Sequence, residues 1–309
     1  METLPTWPLS TIERLKSLVL DSVTSAESKR AYSRGLTHFL SWYPVGAPES
    51  GFSKATVQAY RTHLLESGLS PSTINLQITA VRRLAVEAGD NGLLAPEIVS
   101  GIQRVRGIRR EGTRIGNWLT VSQAEQLINA PDVSTLKGKR DRALLALLIG
   151  CGLRREEAAS LTLDHLQLRD GRFVIVDLEG KGRRVRSVPV PSFAVAALQD
   201  WTQATGFSSG RLFRRVNRGG RLAGESMTAQ SIFETVKQYA GDIGLPGIAP
   251  HDLRRTFAKL AHRGKAALEQ IQICLGHASI QTTERYLGIQ QDFEDSPVDR
   301  LGLKLAATV

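Results

Sequence analysis

The chain has 309 residues, 41% hydrophobic and 23% charged, which gives an ordinary globular composition with ample core and length for two domains. No apolar run approaches the roughly 20 residues of a membrane span, so a membrane protein is not expected. The net charge of +10 is uneven, with 10 Lys/Arg against 9 Asp/Glu in residues 1–105 and 30 against 21 in residues 106–309. It reads either as a solvated basic surface or as a site for a polyanion, nucleic acid ahead of membrane.

In chain order, the opening "METLPTWPLSTIERL" lacks a basic segment followed by an apolar one, which argues against secretion and for a cytoplasmic location. "SAESKRAYSRGLTHFLSWY" places Tyr32, Leu36, Phe39, Leu40 and Tyr43 at helical spacing, and "KATVQAYRTHLLESG" repeats the pattern up to Gly68. "LSPSTINLQITAVRRLAVEAG" starts on Ser70 as N-cap with Pro71 in the first turn and runs to Gly89. With a short helix over Pro96–Ile102, residues 1–105 read as an all-helical module of about four helices. The stretch "RVRGIRREGTR", residues 104–114, follows with five arginines, one glutamate and two glycines. Little in it could be buried, so residues 106–116 are expected to form an exposed basic linker. It is either a plain connector or a segment lying on phosphates through Arg104, Arg106, Arg109, Arg110 and Arg114.

The second domain, residues 117–309, starts near Trp118 with a Thr120–Gln123 capping box. "KRDRALLALLIGCG" predicts a buried helix, and "RFVIVDLEGKGRRVRSVPV" predicts two strands around the turn "EGKG". Residues 193–204, 228–243, 251–263, 266–274 and 278–287 read as helices. The fold class is therefore mainly α (α+β), a helical domain followed by a mostly helical one with a small antiparallel sheet. Cys151 and Cys274 have no metal-ligand spacing, so neither a disulfide scaffold nor a zinc site is indicated.

Four stretches carry the chemically interesting residues. In "CGLRREEAASL", Arg154 and Glu157 are three apart, so the carboxylate can orient the guanidinium, although an exposed surface pair is the commoner meaning of such spacing. In "EGKGRRVR", glycines flank Lys181 and leave it projecting, as a solvated hairpin lysine also would. In "PHDLRRTFA", His251 and Arg254 share one face at a helix N-terminus and could clamp a phosphate; a capping histidine is the alternative. In "LGHASIQTTERYLG", His277 falls at a break between helices and Tyr286 one helix later, where a buried core tyrosine is the plain reading. Taken together, arginines for the non-bridging oxygens, histidines for proton transfer, a lysine for the leaving oxygen and a tyrosine nucleophile make up what phosphoryl transfer on DNA needs. No carboxylate cluster of the kind that holds catalytic metal ions is evident, so cations would take the metal's place.

"GLRREE", "GKGRRVRSVPV", "HDLRRTFA" and "LGHASIQTTERYLG", in that order and spacing, resemble the tyrosine recombinase (phage integrase) family of the simple two-domain Xer/Cre-like type. The resemblance covers nearly the whole chain, since the first domain with "STINLQITAVRRL" is similar to that family's SAM-like core-binding domain. It implies that Arg154, Lys181, His251, Arg254 and His277 form an activating pocket, supported by Glu157, with Tyr286 as nucleophile. It further implies attack on one DNA strand to give a 3′-phosphotyrosyl bond and a free 5′-hydroxyl, then rejoining to a partner strand through a Holliday junction. The implied partners are a double-stranded recombination site, further copies in a homotetramer on DNA (monomer in solution) and accessory DNA-bending proteins. Neither metal nor cofactor is implied.

Two residues depart from the pattern: Arg155, where an apolar residue commonly follows the first arginine, and Arg255, at a position often held by histidine. Fewer than about 25 residues precede the first predicted long helix, too few for an additional arm-binding domain. The tail "DFEDSPVDRLGLKLAATV" carries a short amphipathic pattern that is expected to dock on a neighbouring protomer, with packing on its own domain or fraying as the alternatives. The resemblance also implies a C-shaped clamp around the duplex, with salt-sensitive affinity. A type IB topoisomerase shares this pocket chemistry, and a DNA-binding protein that had lost catalysis would share the fold.

Overall fold

The computed structural model describes residues 7–46, 51–109, 117–180 and 184–287. The chain divides into two compact units, residues 1–112 and 113–309.

Among the described residues the first unit is built of five helices: α1 (Leu9–Asp21), α2 (Ala26–Gly46), α3 (Lys54–Glu66), α4 (Pro71–Asp90) and α5 (Pro96–Gln103). Helix α4 packs against all four others. It starts where Ser70 accepts a hydrogen bond from the Thr73 amide at 3.3 Å, with Pro71 in the first turn because a missing N–H costs nothing there. Its Ile74, Ile78, Val81 and Leu84 meet Leu36, Phe39 and Tyr43 of α2 in a fully enclosed core. About four helices were expected; α1 is the addition. Its "LSTIERLKSLVLD" buries only Leu15 and Val19, four apart, so its apolar stripe is narrow and easily read as loop.

In the basic stretch from residue 104, read from the sequence as exposed, residues 104–109 keep their three arginines exposed but are held on the first unit. Val105 is 1% exposed and belongs to the first unit's core. Asn75 of α4 grips Ile108 from both sides, donating to its carbonyl at 2.9 Å and accepting from its amide at 2.7 Å. Arg61 donates to the Arg106 carbonyl at 2.9 Å. One apolar residue at the right place and one side-chain amide suffice to dock a segment whose arginines all remain exposed.

The second unit is centred on α7 (Leu136–Gly150), whose run Ala143–Ile149 is buried on every side. It packs against α6 (Val121–Asn129), α9 (Ser192–Thr205) and α11 (Pro250–Arg263). The Thr120–Gln123 capping box at the start of α6 is formed, with bonds of 3.2 and 3.0 Å. Helices α8 (Arg155–Ser160), α10 (Ala229–Asp242), α12 (Leu268–Leu275) and α13 (Ile280–Leu287) complete the helical part.

The sheet has three antiparallel strands in the order β1 (Leu166–Arg169), β2 (Arg172–Glu179), β3 (Val185–Pro189), one more than expected. The added strand turns at Asp170–Gly171, both with positive φ (48° and 73°), the two-residue Asp-Gly hairpin turn whose twist matches the strands it joins. Between β2 and β3 the register advances from Ile175↔Val188 to Leu178↔Arg186, three residues on β2 against two on β3. This bulge, with Asp177 at φ 52°, keeps both Ile175 and Leu178 on the buried face and sets Arg186 opposite Leu178. Among the described residues no helix is long and apolar enough to cross a membrane.

Candidate active site

Arg154 is the N-cap of α8. The carboxylate of Glu157, one turn on, accepts from the Arg154 amide at 2.8 Å and from its Nη1 at 2.6 Å. This is no surface pair, because Glu157 is only 3% exposed and a second arginine closes on it from β3. Arg186 donates Nη1 to Oε1 at 2.9 Å and Nη2 to Oε2 at 2.8 Å, in the parallel fork that guanidinium and carboxylate geometry favours. Burial pushes the Glu157 carboxyl up, but hydrogen bonds from Arg186 and the Arg154 amide, with both arginine charges, outweigh it and hold it below the ordinary carboxylate range.

The third arginine, Arg254 on α11, is 1% exposed. Its Nη1 donates to the Gly152 carbonyl at 2.6 Å and lies 3.9 Å from Oε2 of Glu157, while Nη2 donates to the Leu275 carbonyl. Burial, then the neighbouring Arg154 charge, brings its pKa down to about 10, so it stays cationic at neutral pH. Among the described residues three guanidiniums thus surround one carboxylate, an excess of two positive charges, with Glu157, Arg186 and Arg254 buried and Arg154 partly open. Such a cluster strongly favours an anion. Beside it a cavity of about 290 Å³ opens, lined by Arg154, His251 and Arg254 with Leu153, Arg155 and Phe233.

Tyr286 on α13 lies between two histidines, the His251 and His277 rings each edge-on to it with centroids 5.3 Å away. Its hydroxyl is 3.3 Å from Nε2 of His251 and 3.2 Å from the His251 carbonyl oxygen, and the Arg255 guanidinium sits 5.0 Å from the ring centre. Burial raises the phenol's pKa while Arg254, Arg255 and Arg154 pull against it; the net shift is upward, so the free protein holds a neutral phenol. His251 is shifted down, first by loss of water on its packed side and then by Arg255 and Arg254. His277 is pushed down to about 4 by burial and then by Arg254, Arg154 and Arg186. Its Nδ1 lies 3.0 Å from the hydroxyl of the fully buried Thr283, which fixes the ring.

The described part of the site therefore brings together Arg154, Glu157, His251, Arg254, His277 and Tyr286 within one unit. Lys181, Arg110, Arg114 and the tail lie outside the described residues. Gly180, immediately before Lys181, rests against the cluster: a Cβ there would stand 3.1 Å from Nη1 of Arg186 and 3.4 Å from both Nη1 of Arg154 and Oε1 of Glu157. Arg104, Arg106 and Arg109 are exposed on the first unit. Among the described residues no group of three or more His, Cys, Asp or Glu is placed to hold a metal ion.

Residues 117–292 match the phage integrase family, and residues 12–91 match its N-terminal SAM-like domain. The chain belongs to the phage integrase family. Tyrosine recombinase XerD of Ralstonia nicotianae is 31% identical over 313 residues, spanning 94% of each chain. Tyrosine recombinase XerD of Vibrio cholerae is 30% identical over 273 residues, 83% of each. In fold, a crystal structure of XerH site-specific recombinase bound to palindromic difH substrate superposes with a TM-score of 0.68 at 19% identity, over 92% of this chain and 82% of that one.

Within this tyrosine recombinase, two supporting residues escape a motif-based reading. Arg186 is in phase with Val188, the other inward position of β3, and with Val190 just beyond it, and an arginine on the buried register of a strand is itself a signal that a carboxylate waits inside. Thr283 carries no such signal; one of two adjacent threonines turns inward only because of how α13 packs.

Proposed function

We propose that this recombinase cuts one DNA strand by attack of the Tyr286 hydroxyl on a phosphodiester seated against Arg154 and Arg254. As a tyrosine recombinase it breaks and rejoins DNA strands at specific sites. The cluster of three arginines around a single buried carboxylate, opening on a cavity shared with His251, carries it.

Two of the guanidiniums face a phosphate as fixed donors and stabilise the charge that grows on its non-bridging oxygens. Arg186 and Glu157 hold them in place. A bound phosphate cancels part of the field that keeps His251 and His277 neutral, so either ring can take up and return a proton as the phenol attacks. Nε2 of His251 lies 3.3 Å from the hydroxyl, within reach of its proton. As the Tyr286 O–P bond forms, the bond to the 5′-oxygen breaks, and that oxygen takes a proton to leave as a hydroxyl. Lys181 is the proposed donor, because the residue before it already lies against Arg154 and Glu157. One phosphodiester is exchanged for another, so rejoining needs no outside energy source. Double-stranded DNA is the partner, the first unit with Arg104, Arg106 and Arg109 adds backbone contacts, and strand exchange proceeds through a Holliday junction in a tetramer.

The test is covalent capture: incubation with a nicked duplex, denaturation in SDS and a search for a protein–DNA adduct. The wild-type chain should give the adduct and Tyr286→Phe should give none while binding DNA nearly as well. An adduct that survives in the variant removes Tyr286 as nucleophile.

A further inference from the structure

The segment "RLFRRVNRGGRLA", residues 211–223, takes no part in the pocket described above, yet it holds five arginines and no acidic residue. It is a built hairpin rather than a loose loop. Val216 and Leu222 pair as an antiparallel bridge, the Asn217 amide donates to the Arg221 carbonyl at 2.9 Å, and the Arg221 amide donates back to Oδ1 of Asn217 at 3.0 Å. The Ala223 amide closes the base on the Arg215 carbonyl at 2.8 Å. Two of the arginines are consumed internally: Arg214 stacks over Phe207 at 4.2 Å, and Arg211 donates to the Ser160 carbonyl. The other three, Arg215, Arg218 and Arg221, are exposed, and among the described residues none is ion-paired. Like charges held on one short turn repel each other unless an anion lies across them.

The hairpin's root fixes where that anion would lie. Its first residue bridges Thr162, and the Leu212 amide donates to the Leu161 carbonyl at 2.8 Å, so it is anchored to the end of α8, the helix that begins at Arg154. Six helical residues rise about 9 Å, which compares with two to three base-pair steps of a duplex at ~3.4 Å of axis each. On its far side the chain enters α10, which carries Phe233 of the cavity wall.

We propose that this hairpin is a second phosphate-binding surface, gripping the backbone of the bound duplex a few nucleotides from the cleaved bond through Arg215, Arg218 and Arg221. The inference rests on the function proposed above. A protein partner fits the surface less well, because such interfaces need an apolar centre and the only large exposed apolar side chain here is Leu222, at 37%. Guanidinium forks match phosphate oxygens, and a built turn presents them on a backbone that is already ordered, so that only side-chain freedom is lost on binding.

The variant R215Q/R218Q/R221Q tests it by equilibrium binding to a duplex at several salt concentrations. Each lost phosphate contact lowers the log–log salt slope by about 0.9, so three lower it by about 2.7. Between about 50 and 200 mM salt, wild-type affinity should then fall roughly 40-fold more than the variant's. The variant should melt at the wild-type temperature and, at low salt and saturating DNA, still form the tyrosyl adduct. If it melts early, the three single variants should each lower the slope by about 0.9. A slope equal to wild type overturns the proposal. Failure of the wild-type chain itself to form an adduct sinks the catalytic reading instead, and the slope comparison stands apart from it.

Discussion

Replacing Arg186 by methionine keeps much of its aliphatic volume but removes both bonds to Glu157, at 2.9 and 2.8 Å, and the 2.8 Å bond from Nε to the Cys274 carbonyl. Among the described residues Glu157 then keeps only Arg154 at hydrogen-bond distance, in a place where it is 3% exposed. Breaking one side of a buried ion pair costs about 3–5 kcal/mol; the remaining Arg154 bonds put the expected loss near the lower end, about 3 kcal/mol. The sign of the pH dependence follows from the direction of the Glu157 shift. In the wild-type protein its pKa is depressed, so the stability it contributes is present above the unfolded carboxylate value and is lost as pH falls through the folded one. Without Arg186 the burial penalty meets less opposition and the pKa rises, so the variant's deficit is greatest at neutral pH and shrinks as pH falls through the variant's folded value toward the wild-type one, which lies below the unfolded value of about 4.3. Urea unfolding of both proteins at neutral pH and in mild acid measures this. A deficit below about 1 kcal/mol at neutral pH, or one that does not shrink in acid, refutes the claim that Arg186 keeps a buried carboxylate charged. Adduct formation should fall as well, since Arg186 ties Glu157 and Arg154 to the end of α12, two residues from Gly276.

Two further outcomes follow from the same site. In the free protein the His277 imidazole should titrate near pH 4 by NMR, so the unfolded chain takes up its proton first and this residue lowers stability as pH falls from about 6.5 toward 4; a midpoint near 6.5 would mean that neither burial nor the arginine field acts on the ring. Gly276→Ala places a side chain at φ 61°, costing about 1–2 kcal/mol, and sets its Cβ 3.0 Å from Cδ of Arg186, so both the melting temperature and adduct formation should drop; wild-type behaviour would show that the close approach does not matter.

Helix positions, the family and the order of the site residues were legible in the chain because they depend on short-range rules. Ser70–Pro71, the Thr120–Gln123 box and the apolar spacing of α2 and α4 each act within a turn or two. The Asp170–Gly171 turn was equally local and could have revealed β1. Where the readings fell short, distance along the chain is the reason. Arg186 meets Glu157 across 29 positions through a strand bulge, Arg254 reaches the Gly152 carbonyl across 102, and Asn75 docks Ile108 across 33. No local pattern records such contacts. Sequence alone determined that three cations, two histidines and a tyrosine were available for work on a phosphate. Only the tertiary structure decided that a single buried carboxylate holds three guanidiniums in register, because desolvating that carboxylate is tolerable only where the fold can bring enough positive charge to it.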